Sequence, residues 1–349
     1  MSFATGKRKF LAFALIAIIL STTLFGGVIV GIDIYLHKRY ERSLGLNIWG
    51  YRGPILKAKQ VGERRVAVLG GSTALGYGVR WEESFPAYLE RKLNDLPHKA
   101  ERGPITVVNL AYNNEGAYSF TFTLHDYEYL DYDVVILYSG YNDLGIHNIE
   151  VWRHKSLAFR LTGYLPILPL ILREKALILR YGSLEAGYKE RKTTFAPNLL
   201  EKSMAIALET GLEISSKLER QLGALIDPET VEEKIRRIQT ESQGSGCEER
   251  WKLYCESTQA AINYALAQGK KVVFVTQPYL SEGHIKQQQN VVRMLSERFG
   301  GNPRFRYLDL GRSLDRRDRT LSLDGMHLTP QGNERIAQLI VPTLIENLD

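Results

Sequence analysis

Short apolar runs alternate with longer amphipathic stretches in two parts of the chain, residues 61–144 and 248–349. The short runs are rich in β-branched residues, as buried strands are, and the longer stretches place apolar residues on one helical face. Strands separated by helices predict a parallel sheet with right-handed crossovers. The predicted strands are 66–69, 105–110, 133–138, 271–276 and 305–310. The predicted helices are 81–96, 117–130, 248–268, 285–299 and 330–347.

An uncharged segment of 23 residues, Phe10–Ile32, lies near the start of the chain. At 1.5 Å per residue it is long enough to span a hydrocarbon core of ~30 Å. It is long for the apolar region of a signal peptide, and no clear A-x-A cleavage site follows it. We therefore predict an amino-terminal tail (1–9), an uncleaved transmembrane signal anchor (10–32) and a juxtamembrane linker (33–60), with a cleavable signal peptide as the alternative.

Basic residues flank both ends of this segment, so the positive-inside rule does not select an orientation. They are Lys7, Arg8 and Lys9 before it, and Lys38, Arg39 and Arg42 after it. The short amino-terminal tail is similar to the start of a signal sequence, which favours an outward-facing domain. We expect a single-pass membrane protein whose bulk is periplasmic or extracellular.

The strand–helix alternation stops at about residues 145–250, where no convincing strand is found and helices are predicted at 204–225 and 228–240. Within this stretch, residues 157–179 are strongly apolar but include four charged residues and two prolines. Charges are costly in lipid, so a second membrane span is not expected. A lid, a bilayer-surface segment and a small satellite core stay open. We predict one domain over 61–349 with a helical insert at about 145–250.

Composition excludes some classes of function. The 349 residues are 44% hydrophobic and 24% charged, as in globular proteins with a substantial core. The net charge of +6 is spread along the chain without an arginine-rich run, so no nucleic-acid partner is expected. The only cysteines, Cys247 and Cys255, form no metal-binding motif, and we expect no metal. Two free thiols are the default expectation, with a local disulfide as the alternative in an oxidising compartment.

The first strand is followed at once by Gly70, Gly71 and Ser72. A phosphate-binding P-loop is disfavoured because Tyr77 stands where its lysine belongs. The G-x-S-x-G turn of α/β-hydrolases is disfavoured because Ala74 replaces its second glycine. On its own the stretch is equally compatible with a plain strand-to-helix turn. The other strand ends decide between that turn and a site of chemistry.

Polar residues follow other predicted strands, and the carboxyl ends of parallel strands meet at one edge of a sheet. Ser72 could act as a nucleophile if His327 takes its proton, with Asp324 orienting the imidazole. An acyl-transfer reaction also needs donors for the developing oxyanion. The candidates for that oxyanion hole are the backbone N–H groups of Ser72 and Gly116 and the side-chain amide of Asn142.

Together these motifs resemble the SGNH hydrolase superfamily, also called GDSL-type esterases and lipases. Gly70-Gly71-Ser72-Thr73 is similar to its first block, Gly140-Tyr141-Asn142-Asp143 to its third and Asp324-Gly325-Met326-His327 to its last. Tyr51-Arg52-Gly53 is similar to a segment that often precedes the first block in bacterial members. The second block, 109–116, departs from the usual spacing of the family. The usual spacing would give the role of oxyanion donor to Asn114 instead of Gly116. The resemblance covers about 50–144 and 250–349.

This resemblance implies a three-layer α/β/α fold of flavodoxin-like type and a serine esterase without cofactor or metal. Substrates would be an ester-bearing small molecule, a lipid or an acetylated glycan. Two alternatives stay open. An O-acetyltransferase acting on a cell-envelope polysaccharide would use the same residues, and a non-catalytic anchored binding protein would use none of them. Sequence does not indicate the oligomeric state.

Overall fold

The computed structural model describes residues 2–40, 45–96, 103–145, 151–183, 186, 195–226, 229, 233–234, 236–237, 244 and 246–348. The strands are β1 (Arg64–Gly70), β2 (Ile105–Asn109), β3 (Val134–Ser139), β4 (Lys271–Thr276) and β5 (Phe305–Asp309). The helices are α1 (Ser2–Tyr40), α2 (Ser72–Leu75), α3 (Phe85–Asn94), α4 (Phe120–Asp126), α5 (Trp152–Lys155), α6 (Leu157–Thr162), α7 (Leu168–Tyr181), α8 (Leu199–Ile226), α9 (Lys252–Ala267), α10 (Glu282–Phe299) and α11 (Pro330–Leu348).

The five strands form one sheet in the order β2-β1-β3-β4-β5, and every neighbouring pair is parallel. The α/β prediction with five mainly parallel strands is therefore confirmed. The chain first adds β2 on one side of β1 and then β3 on the other. The carboxyl ends of β1 and β3 thus flank the point at which the strand order reverses, where doubly wound sheets leave a crevice.

Alternate residues of the strands enter two separate cores, one on each face of the sheet. Ala67 and Leu69 of β1 pack with α4, α9 and α10 on one face. Val66 and Val68 pack with α3 and α11 on the opposite face. Because side chains alternate along a strand, one β-branched run supplies both cores. Helices pack on both faces of the sheet, so the three-layer prediction is confirmed.

Two predicted helices are interrupted. The stretch predicted at 81–96 begins as a 3₁₀ turn, Trp81–Glu83, before Ser84 takes an extended conformation and α3 starts. The stretch predicted at 117–130 consists of α4 between the 3₁₀ turns Ala117–Ser119 and Glu128–Leu130. Periodicity placed the apolar faces correctly but did not detect these breaks. Most of the helix predicted at 228–240 lies outside the described residues.

The chain forms two compact units, Met1–Tyr40 with Pro166–Lys217, and Glu41–Leu165 with Leu218–Asp349. In the first unit, the buried carboxylate of Asp33 in α1 accepts hydrogen bonds from the backbone of Ile167 and Leu168, at 2.9 and 2.5 Å, and so caps α7. The segment Ala12–Tyr40 is long and apolar enough to cross a membrane, a property that signal sequences share. The predicted domain bounds stay predictions.

The insert contributes to the second unit as well. Phe159 and Leu165 are buried in the same core as α4 and α9. Cys247 and Cys255 are joined by a disulfide bond, so the expectation of two free thiols is not met. The eight-residue spacing allowed either state, because only the fold decides whether the two Cα atoms approach within bridging distance.

Candidate active site

Gly70 and Gly71 allow Ser72 to leave the sheet in a tight turn. A Cβ atom on Gly70 would lie 2.5 Å from the carbonyl oxygen of Tyr138 and 2.6 Å from Cβ of Ala74. A Cβ atom on Gly71 would collide with the side-chain amide of Asn142. Neither position has a positive φ, so close approach is the reason for glycine at both. Ser72 therefore begins α2 directly against the loop that follows β3.

The side chains of Ser72, His327 and Asp324 form a hydrogen-bonded chain, although the first two are separated by 255 residues. Ser72 Oγ lies 2.9 Å from His327 Nε2, and His327 Nδ1 lies 2.7 Å from Asp324 Oδ2. The carboxylate accepts from Nδ1–H, which leaves Nε2 free to accept the serine proton. This arrangement can activate a serine hydroxyl as a nucleophile.

Asp324 is held by its own turn. Its second oxygen, Oδ1, accepts hydrogen bonds from the backbone N–H groups of Met326 and His327 at 2.9 and 2.7 Å. Partial burial alone would raise the pKa of Asp324, but the hydrogen bonds from His327 and Met326 outweigh it and lower that pKa. The carboxylate therefore stays ionised at neutral pH and can stabilise an imidazolium.

The three predicted oxyanion donors lie on segments that meet at Gly71. Asn142 Nδ2 donates to the carbonyl oxygen of Glu115 at 2.8 Å, and a Cβ atom on Gly71 would lie 3.1 Å from that same oxygen. A side-chain amide has two N–H groups, so one remains to face a substrate. Ser72 is the first residue of α2, so its backbone N–H has no hydrogen-bond acceptor within that helix. Gly116 adjoins Glu115 on the same segment.

Asp143 fixes the Gly116 segment, a role that sequence reasoning did not assign. Its Oδ1 accepts from Ala117 N–H at 2.8 Å, and a side chain on Gly116 would collide with this oxygen. Burial raises the pKa of Asp143 to about 7, against two backbone hydrogen bonds that lower it. The glycine at 116 is thus explained by contact with Asp143. Asn114, with φ of 61°, stands in the left-handed region.

Arg52 holds the far end of α2, the helix that begins at Ser72. Its buried guanidinium donates to the carbonyl oxygens of Leu75, Gly76 and Val79, the last two at 2.7 and 2.6 Å. Burial lowers the pKa of Arg52 to about 10, so it still carries its charge at neutral pH. The arginine of the Tyr51-Arg52-Gly53 segment therefore ends α2 by satisfying carbonyls that the helix leaves unpaired.

The entrance to this site is partly apolar. The ring of Tyr77 is 54% exposed and lies 4.8 Å from the ring of His327, measured between centroids. Leu323 is also exposed, and a Cβ atom on Gly78 would lie 2.7 Å from its Cδ1 atom. In the described part of the chain, no group of three or more His, Cys, Asp or Glu side chains could hold a metal ion.

No protein-family model matches the chain, and no curated protein matches it. Solved structures do resemble it. A member of the lipolytic protein G-D-S-L family from Veillonella parvula is 8% identical, with a TM-score of 0.41, over 81% of this chain and 98% of its own. A family 3 carbohydrate esterase from Clostridium thermocellum is 12% identical, with a TM-score of 0.39, over 82% and 97%. A psychrotrophic esterase from Pseudoalteromonas sp. is 11% identical, with a TM-score of 0.38, over 81% and 99%.

The solved structures that this chain resembles thus include a G-D-S-L family protein and two esterases. Identities of 8–12% and TM-scores of 0.38–0.41 carry no argument about activity. The positions of Ser72, Asp324 and His327 indicate what chemistry the site can perform.

Proposed function

We propose that this chain is a membrane-anchored serine ester hydrolase of the SGNH type. The observation that carries the proposal is the unbroken chain of hydrogen bonds from Ser72 Oγ through the His327 ring to Asp324, at 2.9 and 2.7 Å. It lies at the carboxyl ends of the strands, beside the point of reversed strand order. The substrate would be an ester of a small molecule, a lipid or an acetylated glycan.

In the proposed reaction, Ser72 Oγ attacks the ester carbonyl carbon while His327 Nε2 takes the hydroxyl proton. The tetrahedral intermediate collapses when the imidazolium gives that proton to the leaving alcohol, and an acyl-serine remains. Water, deprotonated by His327, then attacks the acyl carbon. The second tetrahedral intermediate collapses when the imidazolium returns this proton to Ser72 Oγ, which leaves as the free hydroxyl, and the carboxylic acid is released. Asp324 keeps Nδ1 protonated and stabilises the imidazolium in both halves.

The negative charge that develops on the carbonyl oxygen needs fixed donors. We assign this role to the backbone N–H of Ser72, the backbone N–H of Gly116 and the remaining N–H of Asn142. The contact between the Asn142 amide and Gly71 supports the assignment, because it puts that amide next to the nucleophile. Removal of one such donor typically lowers turnover by ~10²–10³.

We further propose that α1 is retained as an anchor and that the catalytic domain faces outward. Two observations support this. The segment Ala12–Tyr40 has the length of a membrane span and contains an 18-residue window with a mean hydropathy of 2.4. The Cys247–Cys255 disulfide suits an oxidising compartment, since cytosolic thiols are kept reduced.

Replacement of the nucleophile tests the activity. In the Ser72→Ala variant, hydrolysis of 4-nitrophenyl acetate should fall by at least ~10³-fold, as expected when a member of the triad is lost. Covalent labelling by a fluorophosphonate should disappear with it. The matched control is Ser296→Ala, which makes the same change at an exposed serine of α10. Ester hydrolysis in Ser72→Ala within a few-fold of wild type would overturn the proposal.

A further inference from the structure

Gln277 follows directly after β4 and is almost completely buried, with 2% of its surface exposed. Its Nε2 donates a hydrogen bond to Thr73 Oγ1 at 2.8 Å. Its Oε1 accepts one from the backbone N–H of Tyr141, also at 2.8 Å. One buried amide therefore connects α2, which follows β1, to the loop after β3, across the point of reversed strand order.

The orientation of this amide is determined by its partners. A backbone N–H can only donate, so the group facing Tyr141 N–H must be the oxygen of Gln277. The NH₂ group then faces Thr73, whose hydroxyl can accept. Both ends of the side chain are thus satisfied in one orientation only, and the flipped amide would place two donors against each other at Tyr141.

The partners of Gln277 are the immediate neighbours of two proposed active-site residues. Thr73 follows Ser72, and Tyr141 precedes Asn142. Tyr141 is fixed a second time by the same segment, because its hydroxyl donates to the carbonyl oxygen of Pro278. Gln277 and its two partners, Thr73 and Tyr141, are all buried, so water does not compete for their hydrogen bonds.

We propose that Gln277 is a positioning residue that sets the distance between the Ser72 nucleophile and the Asn142 oxyanion donor. It touches neither substrate nor reacting atoms and acts through Thr73 and Tyr141. The inference rests on the proposed function, because it assigns a role within the same reaction. Displacements of about 1 Å at such a pair can lower turnover by ~10²-fold.

The first test compares Gln277→Leu with Gln259→Leu, in the full-length protein in detergent. Gln259 lies on α9 and is 7% exposed, so the control makes the same change at a buried amide elsewhere. With 4-nitrophenyl acetate, Gln277→Leu should lower kcat by about 10- to 100-fold and leave KM within about threefold. The control variant should keep kcat within about threefold. A general loss of stability would lower the active fraction of both variants.

The second test cuts the bridge at its other end and does not depend on Gln277→Leu folding well. Thr73→Val keeps the shape of the side chain but removes the acceptor, whereas Thr73→Ser keeps the acceptor. We expect Thr73→Val to lower kcat by about 10-fold or more and Thr73→Ser to restore most of it. In the double variant Gln277→Leu/Thr73→Val, the two losses should not multiply, because both remove one interaction.

Rates of fluorophosphonate labelling separate the two proposals. If wild type is labelled at Ser72 but both Gln277→Leu and Thr73→Val react at the wild-type rate, the positioning role is wrong while the hydrolase assignment stands. If the losses multiply in the double variant, the bridge between α2 and the loop after β3 is likewise refuted. If wild type is neither labelled nor active, the proposed function fails and the role of Gln277 fails with it.

Discussion

Asp143 carries the most strongly displaced carboxyl pKa near the site, because its carboxylate lies in the protein interior beside Gly116. Its Oδ2 has no hydrogen-bond partner among the described residues. The folded protein therefore holds a proton on Asp143 up to about pH 7, whereas the unfolded chain loses it near its ordinary value of 3.8. Between these values the folded state binds more protons, so this residue makes stability fall as pH rises.

The Asp143→Asn variant should remove this pH dependence. An amide oxygen can still accept from Ala117 N–H, but the group no longer ionises. From pH 5 to pH 8 the melting temperature of the variant should rise relative to that of wild type, with most of the change below about pH 7. The measurement is thermal unfolding in detergent across that range. Asp95→Asn, at an exposed carboxylate, is the control, and parallel curves for wild type and Asp143→Asn would contradict the prediction.

Arg153, supplied by the insert, holds the loop after β2 at the level of whole elements. Its buried guanidinium pairs with the buried carboxylate of Glu115 at 3.0 Å. It also donates to the carbonyl oxygen of Leu110 at 3.0 Å and to the hydroxyl of Thr123 at 3.1 Å. The short helix α5 thus joins the segment that carries Gly116 to α4. At least this part of the insert is needed to shape the site.

Breaking this pair from one side should be strongly destabilising. Arg153→Met leaves the Glu115 carboxylate buried without a partner, and we expect a loss of about 3–5 kcal/mol in the free energy of unfolding. The double variant Arg153→Met/Glu115→Gln should recover part of that loss, because no buried charge remains. Urea unfolding in detergent measures both, with Arg250→Met, at an exposed arginine, as the control. A double variant less stable than Arg153→Met would contradict this account.

Element boundaries show where local patterns stop being informative. The amphipathic period over 81–96 is real, yet the chain turns at Ser84 because Phe85 N–H is bonded to Asn333 Oδ1, 248 residues away. Gln277 directly follows a strand, and this position in the sequence indicates a residue at the same edge of the sheet as Ser72. The role of Gln277 could not be predicted from the sequence, because both of its hydrogen-bond partners follow other strands.

For the molecule as a whole, the disulfide and α1 together bear on the cellular compartment in which the second unit lies. A bridge between Cys247 and Cys255 forms only where thiols are oxidised. With α1 as an anchor, the second unit would then lie outside the cytoplasm. The bridge is also expected to contribute ~2–3 kcal/mol to stability by restricting the unfolded chain.

Redox trapping tests that location. In acid-quenched cells, the full-length chain should take up no maleimide-polyethylene glycol before reduction and two equivalents afterwards. The Cys247→Ala/Cys255→Ala variant is the control, and it should show no shift in either case and a lower melting temperature than wild type. Two equivalents in unreduced samples would place the domain in a reducing compartment and contradict the outward orientation.

Local physics in this chain was sufficient to predict the strands and the parallel sheet, and to select candidate residues for chemistry at the strand ends. β-branched runs, glycine turns and polar residues at strand ends depend only on neighbours along the chain, and parallel strands must bring their carboxyl ends together. Ser72, Asn142, Asp324 and His327 could therefore be selected before any coordinates were known. The 2.9 Å contact between Ser72 and His327 nonetheless depends on how five strands are ordered.

The disulfide, the buried state of Asp143, the Arg153–Glu115 pair and the Gln277 bridge were decided by the tertiary structure alone. Each depends on distances between segments far apart in sequence, and burial, which displaces pKa values and strengthens buried polar contacts, exists only once the layers have packed. Residue types and spacing indicate which groups can react. The packed sheet determines which of them meet, and at what distance.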